Sequence, residues 1–213
     1  MTGRAAGLAR FLHLVGRLKF TPRTGWLDRA VPPVETESVA DHSYRLALLS
    51  WLAAASQPEL DRAKVLKLAL VHDLAEAITG DSPPYDPTQI PAEADPGARH
   101  AFLSNRHIRS EATKSAKRAS EAAAMAELLA DLPAPLAEEL AALWREAAAQ
   151  TSPEARFVKQ ADALEAYFQS REYLAAEPSR PMASFAAEVT EVITEPALVA
   201  LRDAVDDLKL EST

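Results

Sequence analysis

The sequence contains no cysteine. Disulfides and thiolate metal ligands are therefore excluded, and the chain suits a reducing compartment. No apolar run approaches the ~18 residues of a membrane-spanning helix. The first residues mix arginine with apolar side chains and lack the continuous apolar stretch of a secretory signal. A cytoplasmic location with no membrane partner is the expectation. Cations are in deficit: 23 Lys and Arg stand against 31 Asp and Glu, a net charge of −8. Such a chain is a poor general binder of nucleic acid polymers or anionic surfaces. Any phosphate it takes must be held by a few local cations or a metal ion.

What is abundant is helix-forming apolar sequence. The 213 residues, 48% of them hydrophobic, suffice for one domain with a real core. Leu8, Phe11, Leu12, Val15 and Leu18 recur at helix spacing. Residues 21–38 carry three prolines and a glycine and read as a loop. Ser38-x-x-Asp41 has capping-box spacing, followed by a stripe of Ala40, Tyr44, Ala47, Leu48 and Trp51. A third helix is expected over 61–79, with Val65, Leu68, Ala69, His72 and Glu76 on one face and Gly80 as its stop. After the Pro-rich stretch 81–97, helical patterns return over 98–131 and 136–149. Ser152-Pro153-Glu154 is a helix start, leading into Phe157, Ala161, Leu164 and Phe168. A final helix is expected over about 183–208. Trp51 and Trp144 read as core, and the short basic run KSAKR (114–118) as a solvated helix face. No strand pattern or internal repeat competes. The reading is an all-α bundle of about six or seven helices. It forms a single domain over 1–213, with its core over about 8–175.

The chemistry concentrates in VHDLAEAITGD (71–81). His72 and Glu76 are four apart and share a helix face. Extrapolated from the apolar stripe, that face points inward, where a carboxylate must be paired or bound to a metal. Asp73 follows His72 directly, so imidazole and carboxylate can reach one divalent ion from a helix end. His42 lies early in the second helix, and Asp162 lies beside Ala161 on an apolar stripe. Each also has a plain structural reading: a frayed helix end for His72 and Glu76, a surface histidine at 42, an edge salt bridge at 162. The order His…His-Asp…Asp on three helical segments favours a metal site.

LKFTPRTGW (18–26), ETESVADHSYR (35–45), HDLAEAITGD (72–81), TSPEARFVKQADALEAY (151–167) and REYL (171–174) together resemble the HD-domain metal-dependent phosphohydrolases. Within that superfamily the chain is most similar to the 5′-deoxynucleotidase group. The 90–120 segment is longer than the resemblance leads one to expect, and no role is carried over to it. The resemblance implies that His42, His72, Asp73 and Asp162 ligate one divalent transition metal (Mn, Co, Fe, Zn or Ni). Glu76 would then be the acid/base acting on the attacking water, and Asp81 would lie near the sugar and the scissile phosphate. Arg23 and Trp26 match a loop over the substrate, Arg23 holding phosphate and Trp26 closing against the sugar. Lys159 is a further phosphate candidate. The implied substrate is a deoxyribonucleoside 5′-monophosphate, and the implied assembly a homodimer.

Three alternatives stand beside this reading. His100 and His107, seven apart, could serve a two-metal site of a phosphodiesterase or oxygenase. A nucleoside triphosphate could be the substrate, although a chain with one obvious loop arginine favours a monophosphate. A non-catalytic nucleotide-binding module is the third, and the presence of every ligand and of Glu76 argues against it.

Overall fold

The computed structural model describes residues 2–209, and helices carry nearly all their regular structure. They are α1 (Thr2–Val15), α2 (Thr24–Asp28), α3 (Val39–Ala53), α4 (Arg62–Val71), α5 (Glu76–Thr79), α6 (Pro96–Ser104), α7 (Glu111–Leu129), α8 (Ala134–Ala149), α9 (Pro153–Ala176), α10 (Ala183–Val192) and α11 (Pro196–Asp207). Local side-chain chemistry starts many of them. Ser38 Oγ accepts from the Asp41 N–H at 3.2 Å while Asp41 accepts from the Ser38 N–H at 2.9 Å, a complete capping box. Asp61 caps α4 and Ser152 caps α9 by accepting backbone N–H groups of the first turn, without the reciprocal bond.

Several boundaries differ from the sequence expectation. The 21–38 segment holds the short α2, and Pro22 and Ser38 form an isolated antiparallel bridge. The helix expected over 61–79 breaks into α4 and α5, because residues 72–75, which carry His72 and Asp73, form a turn between them. The 98–131 pattern divides into α6 and α7. The helix expected over 183–208 divides at 193–195, where Ile193 and Glu195 are extended. Pro196 opens α11 at the first helical position, where its missing N–H costs no bond. These breaks raise the helix number above six or seven and leave the all-α class intact.

The main core lies between α3, α4 and α9, covered by α10 and α11, with Leu46, Val65, Leu68, Phe157 and Leu164 at its centre. A second cluster joins α1, α5, α7 and α8 through Leu14, Leu74, Leu128 and Trp144. Full burial contributes roughly 1.5–3 kcal/mol for each large aliphatic side chain. Gly7 lets α1 approach the end of α7: a Cβ there would lie 1.9 Å from the Asp131 carbonyl oxygen.

Of the stripe expected to face inward on α3, Ala47 is buried but the large side chains are not. Tyr44 is 68% exposed, Trp51 is 41% exposed, and Leu48 and Leu52 are also exposed. The buried face is Val39, His42, Ser43, Leu46, Ala47 and Ser50. Three polar side chains inside shift the packed face round the helix, and Arg62 stacks its guanidinium 5.5 Å above the outward Trp51 ring. On α1, likewise, Leu8 and Leu12 are exposed while Leu14 is buried. No helix among the described residues is long and apolar enough to cross a membrane.

Candidate metal centre and cavity

The start of α3, the end of α4 and the middle of α9 meet at one point. His42 comes from the first turns of α3, His72 and Asp73 from the turn after α4, and Asp162 from the middle of α9. His42 Nε2 lies 3.1 Å from Asp162 Oδ1 and 4.0 Å from Asp73 Oδ2. His72 Nε2 lies 3.0 Å from Asp73 Oδ2. One donor atom each from His42, His72 and Asp162 falls within 4.8 Å of the others, and Asp73 joins from the side. The structure thus brings together all four residues singled out in the sequence.

The far side of each imidazole is held. His72 Nδ1 sits 2.8 Å from the Ala69 carbonyl oxygen, and His42 Nδ1 meets Glu165 Oε2 in a short contact. The near sides are not held: His42 Nε2 and His72 Nε2 are buried without a hydrogen-bond partner. Two inward lone pairs facing two carboxylates are what a borderline divalent ion requires, so the residues fit one. Protein charges alone give a consistent picture. Burial and Arg23 oppose a charge on His42, but Glu165 and Asp162 outweigh them and raise it to about 10. Burial also opposes ionised Asp73 and Asp162. His72 and Arg23 beside the first, and Lys159 and His42 beside the second, nonetheless hold both well below the usual carboxylate range. A metal taken here would displace the His42 proton.

Glu76 behaves oppositely. Burial, then the Asp73 and Asp81 charges, push it up to about 9 against the pull of Lys117 and Arg23. Its Oε2 has no partner, and Lys117 Nζ lies 3.5 Å from its Oε1. Lys117 also pairs with Glu121 one turn along α7. This overturns the reading of KSAKR as a wholly solvated face: Lys114 stays outside with Glu111, but Lys117 turns into the site.

These groups line a cavity of about 250 Å³. Arg23 enters it from the loop before α2, with Nη1 3.4 Å from Asp73 Oδ2. Gly80, with φ 73°, turns the chain after α5 so that Asp81 faces this loop. Asp81 Oδ2 accepts the Thr24 N–H at 2.6 Å, so Asp81 braces the Arg23 loop while lining the cavity. Lys159 Nζ sits 2.8 Å from Asp162 Oδ2 and also lines the cavity. Trp26 touches the cavity but is 2% exposed. Its ring stacks on Phe185 at 4.5 Å, and its Nε1–H donates to Glu37 at 2.8 Å. It is a packed wall element rather than a mobile flap.

Part of the wall comes from the 90–120 segment, through Asn105, Arg106, His107 and Arg109, with Ser82 and Pro83 beside it and Ser184, Phe185 and Glu188 contributed by α10. Arg29 pins this segment: its guanidinium donates to Tyr85 Oη, the Leu103 carbonyl oxygen and Ser184 Oγ at 3.0–3.2 Å. His107 is engaged with the Phe102 carbonyl oxygen, and His100 is exposed. Among the described residues neither joins a metal-capable group, which removes the basis for a two-metal reading on these histidines. Arg23 is not the lone cation here: Arg106, Arg109, Lys117 and Lys159 line the same cavity, so a single loop arginine does not select a monophosphate.

Residues 15–198 match the HD domain family. The chain is 41% identical over 172 residues to the 5′-deoxynucleotidase HDDC2 of Mus musculus, covering 81% of this chain and 72% of that one. Among solved structures, a conserved hypothetical protein from Pyrococcus furiosus superposes with a TM-score of 0.65 at 28% identity, over 93% of this chain and 98% of that one. A protein described as a predicted metal-dependent phosphohydrolase from Magnetospirillum magnetotacticum shares the fold with a TM-score of 0.65 at 23% identity, over 96% of this chain and 92% of that one.

Proposed function

The chain belongs to the HD domain family, and from that premise we propose that it is a metal-dependent 5′-deoxynucleotidase, converting deoxyribonucleoside 5′-monophosphates to deoxynucleoside and phosphate. The observation that carries the proposal is the pair of buried, partnerless histidine Nε2 atoms facing Asp73 and Asp162, two carboxylates that line a cavity shared with Arg23, Lys117 and Lys159. His42, His72, Asp73 and Asp162 hold one divalent ion per chain. Bound there, such an ion lowers the pKa of water towards about 7 and offsets charge on a phosphoryl oxygen.

The protein's own groups do the rest. Burial and the Asp73 charge hold Glu76 up. With that charge offset by a cation at the ligand set, and with Lys117 favouring the same ionised state, the free Oε2 of Glu76 takes the proton of the attacking water. Arg23 offers its fork to the phosphate oxygens, and Lys159 adds a second cation on the Asp162 side. Asp81 braces the Arg23 loop at the sugar end of the cavity. Trp26, fixed by Phe185 and Glu37, forms the rigid surface against which the deoxyribose lies.

The outward apolar stripe of α3 supports a homodimer, with the neighbouring groove of Leu52, Ala197, Ala200 and Leu201 as its contact face. Sedimentation at micromolar concentration tests that part. The absence of cysteine supports a cytoplasmic location.

The deciding assay is phosphate release from dAMP and AMP by metal-stripped protein, with Mn²⁺, Co²⁺ or Mg²⁺ added back. The expected result is metal-dependent release, faster from dAMP. No release with any metal would overturn the proposal. Arg106 and Arg109 in the wall favour a second reading, hydrolysis of a nucleoside triphosphate. Release of tripolyphosphate from dATP in place of phosphate from dAMP would select it.

A further inference from the structure

The two candidate ligand histidines are oriented by different kinds of partner. His72 Nδ1 faces a backbone carbonyl, which can only accept. Its proton is therefore on Nδ1 and its Nε2 lone pair faces inward. His42 Nδ1 faces Glu165, a side chain 0% exposed in the core between α3 and α9. The other carboxylate oxygen of Glu165 is taken by Arg45, whose Nε–H donates to Oε1 at 2.8 Å. Arg45 is itself held: Nη1 donates to Glu172 at 2.7 Å, Nη2 donates to Gln169 at 2.7 Å, and the guanidinium lies 5.2 Å from the Phe168 ring centroid. The chain Arg45–Glu165–His42 thus ends on the Nε2 that faces Asp162.

We propose that Glu165, clamped by Arg45, is a positioning residue that sets the His42 tautomer and thereby the affinity of the site for its metal. Glu165 presents only acceptors to His42 Nδ1, so Nδ1 carries the hydrogen and Nε2 keeps its lone pair for the ion. Arg45 decides which end of a side chain at 165 can face the imidazole. An amide at that position would turn its carbonyl oxygen to the Arg45 donor and its NH₂ to His42. Nδ1 would then have to accept, the hydrogen would move to Nε2, and the ligand atom would be blocked. The inference rests on the metal-site reading above.

The test is Mn²⁺ binding to metal-stripped protein, followed by the loss of the free-ion EPR signal. Glu165→Gln, nearly isosteric, is expected to weaken binding about 10- to 100-fold, the usual cost of losing such an outer partner. Adding Arg45→Met to it removes the donor that fixes the amide, frees the carbonyl to accept from Nδ1, and restores most of the lost affinity. Arg45→Met alone loses less than Glu165→Gln. A purely structural role for the pair predicts the reverse, with the double variant binding more weakly than either single one. Undiminished binding by Glu165→Gln, or no recovery in the double variant, would overturn the proposal while leaving the metal site intact. A wild-type chain that binds no Mn²⁺ would overturn the metal site, and this inference with it.

Discussion

The floor of the cavity rests on α3, α4 and α9, which bury Leu46, Leu68 and Leu164 against one another, whereas much of the wall rests on Ser82–Lys117, a Pro-rich loop, the short α6 and the start of α7. Floor residues are locked from behind: His42 by Glu165, His72 by the Ala69 carbonyl oxygen, and Glu165 in turn by Arg45. The loop-borne wall is held mainly by side-chain hydrogen bonds, among them Arg29 to Tyr85 and the Leu103 carbonyl oxygen and Arg99 to the Asp28 carbonyl oxygen, and it presents several cations to the cavity. A metal site needs donor atoms placed to a fraction of an ångström, and dense packing around helices supplies that. A substrate wall tolerates variation and is built from connecting segments carried on the rigid scaffold.

This contrast predicts a graded series of effects. The largest belong to the floor: His42→Ala and Asp162→Ala are expected to lose bound metal and phosphatase activity together while retaining their helical circular dichroism. Full metal occupancy in either would remove that residue from the ligand set. Glu76→Gln should keep its metal, because the ligands are intact, and lose about 10²–10⁴-fold in kcat by losing the proton acceptor. Near-normal turnover would make Glu76 a packing residue.

Lys117→Met sits where wall and floor touch. Loss of one charge-assisted contact to Glu76 should cost about tenfold in kcat/KM, the lower end for such bonds. The cation favours ionised Glu76, so its removal should also move the ascending limb of the pH–rate profile to higher pH. A profile that stays in place would show that Lys117 does not act through Glu76. In the outer wall, Arg106→Ala should raise KM with little change in kcat, and by less than the Lys117 effect. The smallest expected change is for Trp26→Phe, which keeps the stacking on Phe185 but loses the Glu37 bond. It should narrow the ratio of dAMP to AMP turnover. An unchanged ratio would mean that Trp26 does not select against the 2′-hydroxyl.

The same floor-and-wall division separates what could be read along the chain from what could not. The Ser38 and Ser152 caps and the inward Val65, Leu68 and Ala69 of α4 are local patterns that the structure reproduces, whereas His42, His72, Asp73 and Asp162 are singled out by the motif resemblance and brought together only by the packing of three segments. Misreadings arose where one helix face had to be chosen without knowing its neighbours. On α3 the more apolar face points outward, because His42, Ser43 and Ser50 are needed inside. On α7, Lys114 and Lys117 differ by less than one turn, yet only the second lines the cavity.

The sequence by itself determined the all-α class and the helix starts, which depend on short-range spacing, while the candidate ligands and the reading as a phosphohydrolase came from the resemblance of its motifs to the HD-domain family. Only the tertiary structure decided that Lys117 meets Glu76, that Glu165 and Arg45 stand behind His42, and that Trp26 is a buried wall rather than a flap. Those pairings join residues 11 to 123 positions apart. Periodicity shows which residues share a helix face. Which face meets which is settled only when the helices pack, because burial, charge pairing and hydrogen bonding must then be satisfied together.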